Sequence, residues 1–173
     1  MGLESIMIPA SLAGCVCSKY PDNLTTCDGP YGLKEQGKKV RLLPKAGEQA
    51  WALVLDGCVF QDSQIKCDGA LIWSNKSRTV VCLVELKGAG DIAHAFAQLA
   101  FVWHKRPAFH QLLADLERQG GVRPVVKAFV VTNGLLSRPE KERLEKHHGV
   151  RVQEVLHCEA STPIPDLRSR ILN

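Results

Sequence analysis

Two acids and a lysine carry the most chemistry in this chain, and they lie in two apolar runs. The first run is Lys66-Cys67-Asp68-Gly69-Ala70-Leu71-Ile72-Trp73, and the second is Thr79-Val80-Val81-Cys82-Leu83-Val84-Glu85-Leu86-Lys87-Gly88. Both read as strands, and the polar Ser74–Arg78 between them reads as a turn. If that hairpin is centred between Lys76 and Ser77, Asp68 falls opposite Glu85, Ala70 opposite Leu83 and Ile72 opposite Val81. Directly opposed residues have Cβ atoms about 4.5–5.5 Å apart. Lys87 shares the face of Glu85, because a strand repeats every second residue. Two carboxylates on an apolar face repel each other and are costly to bury. A divalent cation between them removes that conflict; Mg²⁺ or Mn²⁺ takes such oxygen ligands. A lysine alongside can hold a water and stabilise charge developing on a phosphate. Spacing alone leaves a surface hairpin with Glu85 and Lys87 solvated as the alternative. Against it, both residues interrupt the end of a very hydrophobic strand just before Gly88-Ala89-Gly90.

The elements around this hairpin follow from periodicity and punctuation. Residues 1–43 read as an irregular, turn-rich extension with a short strand at Ile6–Pro9. Ala46–Leu55 is expected as a short helix, with a strand at Trp51–Leu55 as the other reading; Asp56-Gly57 turns the chain and Cys58–Gln61 reads as a strand. After Lys87, Asp91 caps a helix running to about Arg106, and Pro107 opens another that Gly120-Gly121 stops. Val125–Thr132 is apolar enough to be a strand buried on both faces. Ser137–His148 is a charged helix, Val150–Leu156 a last strand, and Asp166–Leu172 a last helical turn. A sheet flanked by helices on both faces is the natural way to bury such a set. The expected organisation is an α/β domain over residues 44–173 behind the extension.

Asp68, then Glu85-Leu86-Lys87, with Glu48 on a preceding helix, resembles the PD-(D/E)xK nuclease superfamily. The resemblance covers about Pro44–Asn133, and it implies a restriction-endonuclease-like three-layer α/β/α core with a central mixed sheet. On it, Asp68 and Glu85 resemble the metal-binding acids and the Leu86 carbonyl a further ligand. Lys87 resembles the lysine that positions the attacking water, and Glu48 the helix acid that completes the metal shell. Gln98, in the helix after Lys87, resembles an accessory residue of some branches. The chain departs from the family pattern in having Cys67 where the name has proline, and Val102 where exonuclease-like branches have tyrosine. The function so implied is a Mg²⁺- or Mn²⁺-dependent endonuclease acting on DNA as a homodimer. A junction-resolving or RNA-cutting nuclease is the runner-up, and a non-catalytic nucleic-acid-binding or assembly module is the competitor from another class.

The 173 residues carry 22 Lys plus Arg against 18 Asp plus Glu, a formal +4. With 45% hydrophobic residues this is not a disordered chain, and no apolar run approaches the roughly 18 residues of a membrane-spanning helix. A mild positive charge suits a polyanionic partner without demanding one. The densest basic stretch includes Lys38, Lys39, Arg41 and Lys45, expected to contact a nucleic-acid backbone. Seven cysteines, an odd number, and no basic leader segment argue for reduced thiols in a cytoplasmic protein. A structural zinc on Cys15, Cys17 and Cys27 is the less favoured reading, because Cys-x-Cys is a poorer fit than Cys-x2–4-Cys.

Overall fold

The computed structural model describes residues 5–172. A 3-10 segment at Ala10–Cys15 and one helical turn, α1 (Asn23–Thr26), lead into a hairpin of β1 (Gly32–Glu35) and β2 (Lys38–Arg41). Gln36 and Gly37 at its tip both have positive φ, +47° and +80°. That is the twist a two-residue hairpin loop requires. The stretch expected to be irregular therefore supplies its own strands. No strand forms at Ile6–Pro9; the backbone N–H and C=O of Met7 pair instead with the side-chain amide of Gln119, at 2.8 and 2.7 Å.

The main sheet has the order β3 (Gln49–Val54), β4 (Gly69–Ser74), β5 (Thr79–Lys87), β6 (Val125–Thr132) and β7 (Glu154–His157). The first three strands are mutually antiparallel, and β6 and β7 are added parallel. The β4–β5 register pairs Ala70 with Leu83 and Ile72 with Val81, as the turn position predicts. Asn75 makes that turn, its Oδ1 accepting from the backbone N–H groups of Ser77 and Arg78 at 2.9 Å.

Two expectations fail next to this hairpin. Ala46–Leu55 is not a helix: Gln49–Val54 pairs along its length with β4, which the side chains of Ala52 and Val54 on one face and Leu53 on the other make worthwhile. Cys58–Gln61 is not a strand, because Gly57 (φ +87°) turns the chain and the N–H groups of Cys58 and Phe60 return to the Leu55 carbonyl.

Successive residues of the central strands face opposite layers. Ala70, Ile72, Val81, Leu83, Ala128 and Val130 pack with Phe96 and Leu99 of α2 (Ile92–Lys105), Phe109 and Leu112 of α3 (Pro107–Gly120), and Leu144 of α4 (Arg138–His148). Leu71, Trp73, Val80, Cys82, Val84 and Phe129 face the other way, onto Leu33, Val40 and Leu42 of the hairpin region and Leu167 and Ile171 beside the short α5 (Arg168–Ile171). The second layer is thus a hairpin and a single helical turn rather than a layer of long helices. The mixed α/β character is as expected; helices on both faces are not.

Covalent and polar ties hold the irregular parts. Cys15 bonds Cys58, and Cys17 bonds Cys27. This corrects the reading of reduced thiols, and the three sulfurs proposed for zinc are divided between two disulfides. Cys67, Cys82 and Cys158 stay free and buried. At the break between α2 and α3, the buried guanidinium of Arg106 makes two 2.9 Å hydrogen bonds to Asp62 and lies 4.0 Å over the Phe60 ring, pinning the loop that leads to β4. Among the described residues no helix is long and apolar enough to cross a membrane.

Candidate metal centre

Asp68 immediately precedes β4, Glu85 and Lys87 lie in the last turn of the pleat of β5, and Gly69 pairs with Val84, so the two acids meet at one end of the sheet. It is the carboxyl end of the parallel strands β5 and β6, where open α/β sheets hold their ligands. The backbone fixes both side chains. Asp68 N–H donates to Glu85 Oε2 at 2.9 Å, and Leu86 N–H donates to Asp68 Oδ2 at 2.7 Å. The Asp68 carbonyl accepts from the N–H groups of Leu55 and Asp56 at 3.1 and 3.3 Å. Leu86 meets the acids through its amide N–H.

A third carboxylate completes the group, and sequence reasoning missed it. Glu35, the last residue of β1, brings an oxygen within 4.8 Å of oxygens of Asp68 and Glu85. Lys87 Nζ stands 3.3 Å from Glu85 Oε1. The Glu85 side chain is 2% exposed and that of Lys87 20%. Two unit charges 4.8 Å apart, at an effective dielectric constant near 20, repel by about 3.5 kcal/mol, more than one flanking lysine offsets for three acids. The titrations follow. Burial pushes Glu85 up to about 7 against the opposing pull of Lys87. Burial, then the charges of Glu85 and Glu35, hold the Asp68 carboxyl well above the usual range.

The donor set is all oxygen, which suits Mg²⁺ or Mn²⁺. Beside it lies a polar cavity of about 160 Å³, lined among others by Thr25, Thr26, Lys34, Asp56 and the carboxylates of Glu35 and Asp68. A cavity of that size has room for an ion that keeps part of its hydration shell.

Other expected site residues lie elsewhere. Glu48 precedes β3, opposite the Ser74 end of β4, and from Asp68 to its neighbour Trp73 is five strand residues, about 17 Å. There its carboxylate is held by Arg168 (Nη2–Oε2 2.5 Å), by Trp73 Nε1 at 2.9 Å and by Lys45 N–H at 2.9 Å. The Arg168 guanidinium holds it at about 2, far below its ordinary range. Glu48 is therefore not among the grouped acids, whereas Glu35, from the hairpin layer, is. Gln98 donates its amide to the Lys66 carbonyl at 2.9 Å, steadying the approach to Asp68 rather than joining the acids.

The basic stretch is also largely occupied. Lys38 is buried with Nζ on the Gln36 carbonyl, Lys39 pairs with Asp28 at 3.4 Å, and Arg41 faces Asp166 at 3.7 Å. Lys45 is exposed. Comparison with family models, with curated proteins and with solved structures finds no match for this chain, so the likeness to the PD-(D/E)xK nucleases stands on these residues and their placement alone.

Proposed function

We propose that the chain is a divalent-metal-dependent nuclease that hydrolyses phosphodiester bonds in DNA. One observation carries the reading: three carboxylates, of Glu35, Asp68 and Glu85, converge beside the Lys87 ammonium at the carboxyl end of β5. A buried like-charge cluster has a stability cost without an obvious packing return, and that cost is what a cation site requires. The restriction-endonuclease-like core is part of the proposal. What supports it is the order of three antiparallel strands, then helices, then a parallel strand, although a disulfide-bonded segment and a hairpin precede them where that core begins with a helix.

In this reading Asp68, Glu85 and Glu35 hold Mg²⁺ or Mn²⁺, which supplies Lewis-acid polarisation of the scissile phosphate and a more acidic water. The backbone N–H groups of Asp68 and Leu86 keep the carboxylates in place without a change of rotamer. Lys87 orients the attacking water and places positive charge where the phosphate becomes more negative in the transition state. Gln98 and Arg106 hold the approach to β4 against the helices. The homodimer belongs to the proposal too, as the simplest way to cut two strands. Two disulfides favour a setting in which thiols oxidise, in place of the cytoplasm expected from the sequence.

The test is cleavage of supercoiled, linear, branched and single-stranded DNA, and of RNA, in Mg²⁺, Mn²⁺ or EDTA. Cutting of DNA should need the metal and fall by about 100-fold or more in Glu85→Gln and Lys87→Ala. Activity that survives EDTA, or either substitution, overturns the mechanism. Cutting confined to RNA or branched DNA replaces the substrate, and binding without any cutting favours the assembly module.

A further inference from the structure

A second cavity has none of the grouped acids in its lining and no part in the proposed chemistry. It encloses about 660 Å³ between the N-terminal segment, the β3 edge and the end of α3. That is within the roughly 300–1,000 Å³ of ordinary small-molecule sites. Its walls are apolar: Ile6 and Val16 are buried, while Ile8 and Trp51 lie half-buried against the helix-side core. The N-terminal wall is pinned, since Gln119 at the end of α3 takes both the N–H and the carbonyl of Met7. That contact ties the N-terminal wall of the cavity to α3. Among the described lining residues polar groups are few, and Lys19 is the one charged residue. Lys19 N–H donates to the Val16 carbonyl at 2.8 Å and Cys17 N–H to the Ala52 carbonyl at 2.8 Å, so the segment that carries the cation is tied to the strand that carries Trp51.

An apolar cleft whose described lining carries one cation suits an anionic amphiphile. We propose that this cavity binds a single-tailed carboxylate amphiphile, its alkyl chain against Ile6, Ile8, Val16 and Trp51 and its carboxylate at Lys19. Apolar burial supplies the affinity, and Lys19 supplies the choice of head group. The inference does not depend on the metal centre.

Calorimetric titration of the full chain with octanoate, decanoate, decanol and decyltrimethylammonium, each kept below its micelle concentration, tests it. Decanoate should bind saturably at one site, about fifteenfold tighter than octanoate, from two further buried methylenes. It should also quench tryptophan emission, and Trp51→Phe should abolish that quench. Lys19→Glu, an exposed change that leaves the core alone, should weaken decanoate about fivefold and strengthen the cationic amphiphile. Glu85→Gln should change none of this. Two outcomes overturn the proposal: no saturable decanoate binding, or equal binding of the cationic and anionic amphiphiles.

Discussion

Reduction of the two disulfides should cost this fold most of its stability, and loop length sets how much. The Cys15–Cys58 bond closes a loop of 43 residues and the Cys17–Cys27 bond one of 10. In the chain-entropy treatment these remove about 4 and about 2.7 kcal/mol of conformational freedom from the unfolded state at 25 °C. The smaller loop is nested within the larger, so closing it first shortens the outer one by about ten residues. That changes the outer contribution by only about 0.2 kcal/mol, because the dependence is logarithmic. Domains are generally stable by about 5–15 kcal/mol, so losing both bonds leaves this one marginal. The assay is urea unfolding followed by circular dichroism and tryptophan emission, for oxidised protein, for protein in dithiothreitol, and for the Cys15→Ser/Cys58→Ser and Cys17→Ser/Cys27→Ser pairs. With a urea slope near 2 kcal/mol per molar, the first pair should lower the midpoint by roughly 2 M and the second by somewhat over 1 M. Thiol titration in denaturant should find three thiols before reduction, those of Cys67, Cys82 and Cys158. Seven thiols in protein purified without reductant, or bound zinc that leaves on chelation, would refute the pairing. Midpoints unmoved by reduction would refute the loop argument.

Two further outcomes test how the site is held. In Gly69→Ala the new Cβ would stand 2.7 Å from the Leu53 carbonyl oxygen and 2.6 Å from Leu33 Cδ1. The leucine tip can swing but the strand oxygen cannot, so a loss of about 1–3 kcal/mol should be seen in urea unfolding. Mn²⁺ affinity, read by calorimetry, should fall as well, because Leu33 lies two residues before Glu35 on β1. Arg168→Ala should leave the Glu48 carboxylate, 10% exposed, with Trp73 Nε1 and the Lys45 amide alone. Glu48 titrates near 2 folded and near 4.5 otherwise, so its contribution is complete above about 4.5 and is lost as pH falls towards 2. The urea midpoints of wild type and variant should therefore differ at pH 7 and converge near pH 2.5. A constant gap across that range would show that Arg168 acts through packing alone.

What was legible in the sequence was local. The β4–β5 register follows from a polar turn of fixed length between two runs that bury nearly every residue, where a slip would move a whole apolar face. Thr79–Lys87 and Val125–Thr132 have the bounds expected of them for the same reason. Gln49–Val54 was ambiguous: it is short, apolar and buried on both faces at its end, so periodicity cannot separate strand from helix. Glu48 went with it, and its actual partner, Arg168, lies 120 residues away in sequence with no local signal. The β1–β2 hairpin did leave one. Leu33, Val40 and Leu42 alternate around Gln36-Gly37, but glutamine stands where asparagine or aspartate would have marked the turn. Nothing in the spacing of the cysteines reveals that Cys15 pairs with Cys58 across the first strand of the sheet.

The missed acid and the missed hairpin are one omission, and it changes what the extension is for. Glu35 reaches Asp68 because Leu33 seats on Gly69, and Leu33 is kept there by the layer that β1 and β2 form on the sheet. That layer is anchored at its base: Cys27 bridges to Leu33, Cys17 is bonded to Cys27, and Cys17 N–H is fixed to the carbonyl of Ala52 on β3. A four-residue hairpin strand lacks the buried area to hold three like charges together by itself, since apolar burial contributes only about 25 cal/mol per Å² while each pair of acids repels by several kcal/mol. The covalent anchor supplies what that small area cannot. Turn-rich composition in the first 43 residues, which reads as irregularity, is what a small cross-linked layer needs to bring Glu35 to the acids of the β4–β5 hairpin.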